Sequence, residues 1–356
     1  MVLACGQRDR AALREARGRP LGGLAALPAI LAVGHQIDSF PRRRDPEKVT
    51  KRLRSRFRGD DEDRLNSFSS GVQREKDHAM TSYDDLPYVE AELNYLAPMA
   101  ERPRYYAYDP EPGVPPSNMA HEAHRVRVHD MRPIQSQISL DREGFALLEQ
   151  RSAVRDFWDE DEIRRVYYPE AERFIAAATR ASRVFIFDHT LRRRIPGAID
   201  RSPDAPRQPA TRVHVDHTAK SGPQRVRDLL GRDAEELLRG RVQVINQWRP
   251  IHGPLRDAPL AVCDAATVAA ADLVPSDLVY GDRLGETYSV TYNPTHRWFY
   301  APEMRADEAL LLKCCDTMTD GRARFMPHTS FSDPTTPPEA LPRESIELRT
   351  LVFHPA

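Results

Sequence analysis

Short strand-like segments follow one another through the C-terminal part of this chain, and turns rich in Pro, Gly or Asp separate them. Short strands at such spacing predict a β-sandwich or barrel rather than a helical or doubly wound fold. The segments are RVQVINQW (241–248), PLAVCD (259–264), ETYSVTYN (286–293), HRWFY (296–300), ALLLKCCDT (309–317), RARFMPHTSF (322–331) and SIELRTLVF (345–353).

Two further strands and two helical segments precede this region. HRVRVHDMR (124–132) alternates with period two, and RVFIFDH (183–189) is typical of a short buried strand. The segment 159–182 begins with acidic residues and carries apolar residues on one face, which predicts a helix, and Ser221 is expected to cap another with Pro223 in its first turn. The predicted fold class is therefore mainly β, a jelly roll with helices packed outside it.

Charge and cysteine usage limit the class of protein. The chain has 52 basic and 53 acidic side chains, and this balance argues against a nucleic-acid-binding protein that relies on bulk charge. Cys5, Cys263, Cys314 and Cys315 do not form a spaced framework, and the adjacent Cys314 and Cys315 are expected on opposite faces of a strand. We expect reduced cysteines and a cytoplasmic protein.

No apolar run approaches the roughly 20 residues of a membrane-spanning helix. LGGLAALPAILAVG (21–34) imitates the apolar part of a signal peptide, but it lies far from the terminus and no typical cleavage site follows it. Residues 1–79 hold 17 Lys+Arg and 11 Asp+Glu in blocks with few aromatic residues, a composition typical of a disordered tail or extension. A single domain with a jelly-roll core is predicted for residues 80–356.

The stretch RVHVDHT (212–218) contains the first candidate for a metal site. On an extended strand His214 and Asp216 point to one face, whereas His217 points to the other. A third ligand from a distant strand would complete a two-histidine, one-carboxylate triad, the arrangement of non-heme Fe(II) oxygenases. His328, near the end of the segment 322–331, is the best candidate for that third ligand. Alone, the H-x-D pattern is a weak signal and is more typical of polar residues on a strand edge than of a metal site.

A possible carboxylate clamp lies further along the chain, in RESIELR (343–349). Arg343 and Ser345 share a face of the last strand, and a guanidinium beside a hydroxyl suits a carboxylate such as the far end of a dicarboxylate co-substrate. Arg349 lies on the same face and is an alternative partner.

Other polar residues have weaker functional interpretations. Asn246 and Trp248 fit either a pocket wall or ordinary packing, and His189 and His217 fit hydrogen bonding around a site better than direct ligation. The segment 190–212 is rich in Arg and Pro and is predicted to be irregular, and it and the segment 265–285 differ in composition from the strands and are candidate lids.

The chain also resembles a known family in several of its segments. VHVDHT, NQWRPI, PLAVCDA, HRWFYAPEM, LLLKCCDT, GRARFMPHTSF and DPTTPPEALPRESIELR are similar to the fungal and bacterial hydroxylase/desaturase family, as are YYAYDPEPGVPPSN, SLDREGFALL and VFIFDHTLR upstream. The resemblance covers about residues 90–354.

The resemblance implies an enzyme, an Fe(II)/2-oxoglutarate-dependent dioxygenase on a double-stranded β-helix of the cupin-like type. It implies hydroxylation or desaturation of an unactivated C–H bond of a small secondary metabolite, with dioxygen as co-substrate and succinate and carbon dioxide as co-products. The family's metal motif falls on His214, Asp216 and His328, and its co-substrate arginine on Arg343 beside Ser345. Arg249 and Arg349 lie in equally similar stretches and stay open as alternatives.

Two other functions compete with this interpretation. One is a metal-dependent cupin-like isomerase or epimerase that does not use 2-oxoglutarate, and the other is a non-catalytic barrel that binds small molecules. The sequence does not select the substrate, the choice between hydroxylation and desaturation, or the oligomeric state.

Overall fold

The predicted strand segments form two β-sheets that face each other. The computed structural model describes residues 82–198, 200 and 206–355, all within the unit Lys76–Ala356. The tail predicted for residues 1–79 lies outside the described residues. In chain order the strands are β1 (Tyr88–Leu96), β2 (Arg104–Tyr106), β3 (His121–Asp130), β4 (Phe145–Glu149), β5 (Arg183–Arg193), β6 (His214–Val215), β7 (Val242–Pro250), β8 (Leu260–Cys263), β9 (Leu273–Val279), β10 (Leu284–Val290), β11 (Trp298–Tyr300), β12 (Glu308–Asp316), β13 (His328–Ser330) and β14 (Glu344–Phe353).

The larger sheet has the order β1-β3-β11-β8-β13-β6-β10-β9-β2, and the smaller one the order β4-β12-β7-β14-β5. Pairing is antiparallel except between β11 and β3 and between β2 and β9. The main apolar core fills the space between the sheets, with Val262 and Phe299 from the larger sheet against Trp248, Leu312 and Leu351 from the smaller one. The predicted jelly roll is thus confirmed.

The helices flank the two sheets, as predicted, and two of them add Val226 and Ala234 to the main apolar core. They are α1 (Glu160–Glu162), a π-helical turn (Ile163–Tyr167), α2 (Tyr168–Thr179), α3 (Ser221–Leu230) and α4 (Ala234–Leu237), with 3-10 turns at Tyr83–Asp85, Arg132–Gln137, Gly231–Asp233, Ala265–Thr267 and Ala270–Asp272. Ile175 of α2 packs on the outer face of the smaller sheet, against Ile245, Leu311 and Val352. Within the described part of the chain, no helix has the length and apolar character needed to cross a membrane.

The start of α3 differs from the prediction. Ser221 is the first helical residue rather than the cap, and the capping oxygen belongs to Thr218. Thr218 Oγ1 accepts hydrogen bonds from the backbone N–H groups of Lys220 (3.2 Å) and Ser221 (3.0 Å). The threonine hydroxyl therefore satisfies the first free N–H groups of the helix.

Several strand bounds also differ from the prediction. Of the segment 322–331 only His328–Ser330 is a strand, whereas β5 continues to Arg193, into a segment predicted to be irregular. Cys314 and Cys315 do not separate to opposite faces, because a β-bulge between Lys313 and Cys315 turns both thiols into the main core. Both thiols and Cys263 are unpaired, as expected.

Candidate metal centre

The pairing of β6 with β13 brings two histidines together. His214 and His328 are direct partners in the antiparallel register, and their ring centroids lie 4.5 Å apart. Asp216 follows β6 in a bend, so its position depends on the chain after the strand and not on strand alternation alone. One ligand atom of each of the three residues lies within 4.8 Å of the others. The structure therefore brings the predicted triad together.

Hydrogen bonds to the backbone orient both imidazole rings. Nδ1 of His214 lies 2.8 Å from the carbonyl oxygen of Arg212, and Nδ1 of His328 lies 3.4 Å from that of Met326. Because a carbonyl only accepts, Nδ1 carries the proton in each ring, and Nε2 keeps its lone pair. Burial lowers the pKa of His328 to about 4, so this ring is neutral at physiological pH. Two imidazoles that offer Nε2 and one carboxylate form a donor set that fits Fe(II).

The Asp216 carboxylate is held ionised. Burial acts to raise its pKa, but the positive charge of Arg349 acts against that effect, and the pKa stays well below its usual value. Asn246 Nδ2 donates a 2.6 Å hydrogen bond to Oδ2 of Asp216, and Arg349 Nε lies 3.5 Å from the same oxygen. The carboxylate is thus both charged and fixed in orientation.

His217 and His189, the two other histidines considered from the sequence, do not join the triad. His217 is buried and its Nδ1 lies 3.2 Å from Ser221 Oγ, while burial lowers its pKa to about 4. His189 lies near helix α2, where its ring nitrogens contact the Tyr168 hydroxyl (2.8 Å) and the Glu160 carboxylate (3.0 Å).

The structure places Arg343 and Ser345 next to the triad. Nε of Arg343 donates to Ser345 Oγ (3.1 Å), and Nη1 donates to Ser330 Oγ (3.1 Å) and to the carbonyl of Ala258 (2.9 Å). The Arg343 guanidinium is buried over the ring of Trp248 and forms no ion pair with a described carboxylate. Burial lowers the pKa of Arg343 to about 9, the expected response of a buried cation without an anion beside it.

Arg349 has a different environment. Its guanidinium donates to Asp188 (3.1 Å), Thr190 (2.7 Å) and Glu347 (3.1 Å), in addition to its approach to Asp216. Arg349 is therefore already paired on the protein side.

Arg249 is not brought to the centre. Its neighbour Trp248 faces the core between the sheets, so Arg249 faces the opposite side of β7. There it lies over the rings of Phe157 and Tyr167 and donates to the carbonyl of Ala306.

Two cavities adjoin the triad. The small one is lined by Arg343, Trp248, Glu347 and Thr329 together with all three triad residues. The larger one measures about 1020 Å³ and is lined by His214 and Asp216. Described parts of the candidate lid 190–212, and residues 277–285 of the second candidate lid, line the larger cavity.

The sequence did not predict the roles of three polar residues around the centre. Asn246 was only an uncertain pocket residue, and it bridges Asp216 and Glu347, with a 2.9 Å bond to the latter. Side chains alternate along RESIELR with a period of two, so Glu347 lies on the same face as Arg343 and Arg349. This alternation could have identified Glu347 from the sequence. Arg192, which lines both cavities, had no signal because its segment was interpreted as irregular.

Comparison with known proteins agrees with this geometry. A family model described as "Oxidoreductase/YMDC permease-like domain" matches residues 93–353. The chain is 35% identical over 294 residues to the hydroxylase/desaturase efuI of Hormonema carpetanum, covering 77% of this chain and 98% of that protein. It is 30% identical over 275 residues to the Fe(II)/2-oxoglutarate-dependent dioxygenase nvfI of Aspergillus novofumigatus, covering 75% and 97%.

A solved structure of the iron and alpha-ketoglutarate-dependent endoperoxidase NvfI superimposes with a TM-score of 0.69 at 29% identity, covering 76% of this chain and 99% of that one. The fold and the site thus define an oxidoreductase built on a jelly roll. The chain belongs to the hydroxylase/desaturase family of Fe(II)/2-oxoglutarate-dependent oxygenases, as the resemblance predicted.

Proposed function

We propose that this protein is an Fe(II)/2-oxoglutarate-dependent dioxygenase in which His214, Asp216 and His328 hold the iron. The observation that carries the proposal is the convergence of these three side chains within 4.8 Å beside a large cavity. Bound Fe(II), with 2-oxoglutarate and dioxygen, supplies the oxidising power needed to cleave an unactivated C–H bond.

The surrounding residues fix the donors in advance. The carbonyls of Arg212 and Met326 orient the two rings, and Asn246 and Arg349 orient the carboxylate. Such supporting hydrogen bonds set ligand basicity and orientation in metal sites. These contacts support Nε2 of each histidine and the Asp216 carboxylate as the metal ligands.

Arg343 is the partner for the far carboxylate of 2-oxoglutarate. It is the buried arginine of this face without a carboxylate, whereas Arg349 is already paired with Asp188 and Glu347. A planar guanidinium binds a carboxylate bidentately, and Ser345 keeps it in place through Nε. The small cavity measures about 30 Å³, so binding a dicarboxylate requires side chains between the two cavities, such as Arg192, to shift.

The larger cavity has room for a small organic substrate next to the triad. The reaction is hydroxylation or desaturation of such a secondary metabolite with dioxygen, releasing succinate and carbon dioxide. The relatives named as hydroxylase/desaturase and dioxygenase support this function over a cupin-like isomerase or a non-catalytic barrel.

Spectroscopy under anaerobic conditions tests the proposal. Fe(II) and 2-oxoglutarate added to the full chain should give the weak visible charge-transfer band of a chelated keto acid. The Asp216→Ala variant should lack the band, whereas Asp320→Asn, which changes a carboxylate paired with Arg322 and absent from both cavity walls, should keep it. Absence of the band in folded wild-type protein would overturn the assignment.

A further inference from the structure

The larger cavity has an uneven distribution of paired and unpaired charge. Most carboxylates in its wall already have a cationic partner among the described residues. Those ion pairs are Asp277 with Arg102 (2.6 Å), Glu286 with Arg102 (2.6 Å), Asp200 with Arg207 (3.0 Å) and Asp188 with Arg349 (3.1 Å). Asp228 forms no ion pair among the described residues and accepts a hydrogen bond from Gln224 (2.8 Å), so few negative charges in the wall are left to balance further cations.

Not every arginine of the same wall has such a partner among the described residues, and Arg192 instead donates a hydrogen bond to the carbonyl of Gln208. Arg225, on α3, and Arg283, between β9 and β10, form no ion pair with any described carboxylate. Each guanidinium instead lies over an aromatic ring of the wall, 5.5 Å from the Phe187 centroid and 4.1 Å from the Tyr280 centroid, respectively. An aromatic face attracts a cation but leaves its charge and most of its N–H donors free.

Arg283 also acts on Arg225. Burial lowers the pKa of Arg225, and the positive charge of Arg283 lowers it further. Two guanidinium groups without ion-pair partners in the wall of one cavity gain stability from an anion that binds beside them.

From this geometry we propose that Arg225 and Arg283 form an anion subsite in the larger cavity, and that the substrate carries an oxyacid group that binds there. The inference rests on the proposed function, since it specifies the substrate of that cavity. The guanidinium groups bind the oxygens of the anion, and Phe187 and Tyr280 contact the apolar body next to it. Anchoring one end of the substrate fixes which C–H bond lies near the triad.

A matched pair of fluorescent probes tests this subsite. 1-Anilinonaphthalene-8-sulfonate carries a sulfonate, and N-phenyl-1-naphthylamine has the same skeleton without it. In the full chain, Arg225→Gln combined with Arg283→Gln should weaken binding of the sulfonate probe at least tenfold and change binding of the neutral probe less than twofold. The assay contains neither iron nor 2-oxoglutarate, so its failure and a missing charge-transfer band are separate results.

Arg227→Gln is the matched control, because Arg227 lies on the same helix but pairs with Glu235 and is absent from the cavity wall. This variant should bind both probes as the wild type does. Equal loss of both probes in the double variant, or no loss of the sulfonate probe, would overturn the proposal. If the double variant does not fold, the single variants Arg225→Gln and Arg283→Gln replace it in the same assay. Unfolding curves show whether each single variant is folded.

Competition distinguishes the kinds of oxyacid. 1-Naphthoate and 1-naphthyl phosphate should each displace the sulfonate probe, and the one that acts at lower concentration identifies the carboxylate or the phosphate as the preferred group. 1-Naphthol, which lacks the charge, should displace the probe at least tenfold less well than the better anion. If 1-naphthol competes as well as both anions, the subsite does not recognise charge and the proposal is wrong.

Discussion

His214 on β6 and His328 on β13 are opposite each other in the same antiparallel register, with ring centroids 4.5 Å apart. The proposed metal centre therefore depends on a strand pair in which β6 is only two residues long. That short strand is also paired with β10, where Ser289 is the partner of His214. The centre is consequently built from neighbouring strands of one sheet, and the opposite sheet supplies the groups that orient Asp216.

Asn246 should be needed for tight metal binding. Its amide donates to both Asp216 (2.6 Å) and Glu347 (2.9 Å), and Asn246→Ala removes both bonds. We expect the affinity for Fe(II) to fall roughly 10- to 100-fold, as for other groups that support metal ligands. Titration with Fe(II) under anaerobic conditions measures this effect. Asn293→Ala removes a similar bond to the Asp272 carboxylate away from the centre and should leave metal affinity unchanged.

Arg343→Gln should weaken 2-oxoglutarate binding. Losing a buried charged contact to the co-substrate costs about 2–4 kcal/mol, or roughly 30- to 1000-fold in Kd. Titration of the visible band with 2-oxoglutarate measures the change. Arg249→Gln alters an arginine on the other face of β7 and should change that Kd less than about twofold among folded molecules. The reverse ranking of the two variants would assign the co-substrate to Arg249.

How far the sequence predicts this centre depends on the strand concerned. In RESIELR, alternation correctly places Arg343 and Ser345 together, because the polar Ser345, Glu347 and Arg349 alternate with Ile346 and Leu348 along β14. In β7 all nine residues are buried, so alternation of polar and apolar residues does not tell the inner face from the outer one. That is why Arg249 stayed a candidate and Asn246 was not recognised as a partner of Asp216.

Long-range pairing accounts for what the sequence could not predict. The convergence of His214 with His328 requires the register of β6 with β13, and single-sequence patterns contain no information on register between distant segments. Local chemistry was also misleading at Ser221, because the preceding Thr218 competes for the same capping position. The bulge at Lys313 has no signature in LLLKCCDT, and it is what sends both cysteines inward.

Asp141 should make the stability of the fold depend on acid pH. Burial acts to raise the pKa of Asp141, but Lys313 Nζ at 2.7 Å and Arg241 lower it to about 2. A carboxyl group with a lowered pKa contributes stability above its unfolded pKa of about 4, and this contribution disappears as the pH falls towards 2. The free energy of unfolding of the wild type should therefore fall more steeply between pH 4 and pH 2 than that of Asp141→Asn. Denaturant unfolding at several pH values measures both slopes, and parallel curves would contradict the prediction.

Gly222 should be required for the seating of α3 against β12. A Cβ atom at this position would lie 2.4 Å from Sγ of Cys315 and 3.1 Å from its Cβ, far inside normal contact. We expect Gly222→Ala to lower the free energy of unfolding by about 1–3 kcal/mol, although alanine favours helix more than glycine does. Cys315→Ala in the same chain removes the nearest atom and should recover part of the loss, which a double-mutant cycle measures by denaturant unfolding. Gly281→Ala, where no atom lies within 4 Å, should change stability little.

The position of α3 should also matter for the anion subsite, because α3 carries Arg225. Gly222→Ala should therefore weaken binding of the sulfonate probe more than binding of the neutral probe. Equal weakening of both probes would show that the position of this helix does not determine anion binding.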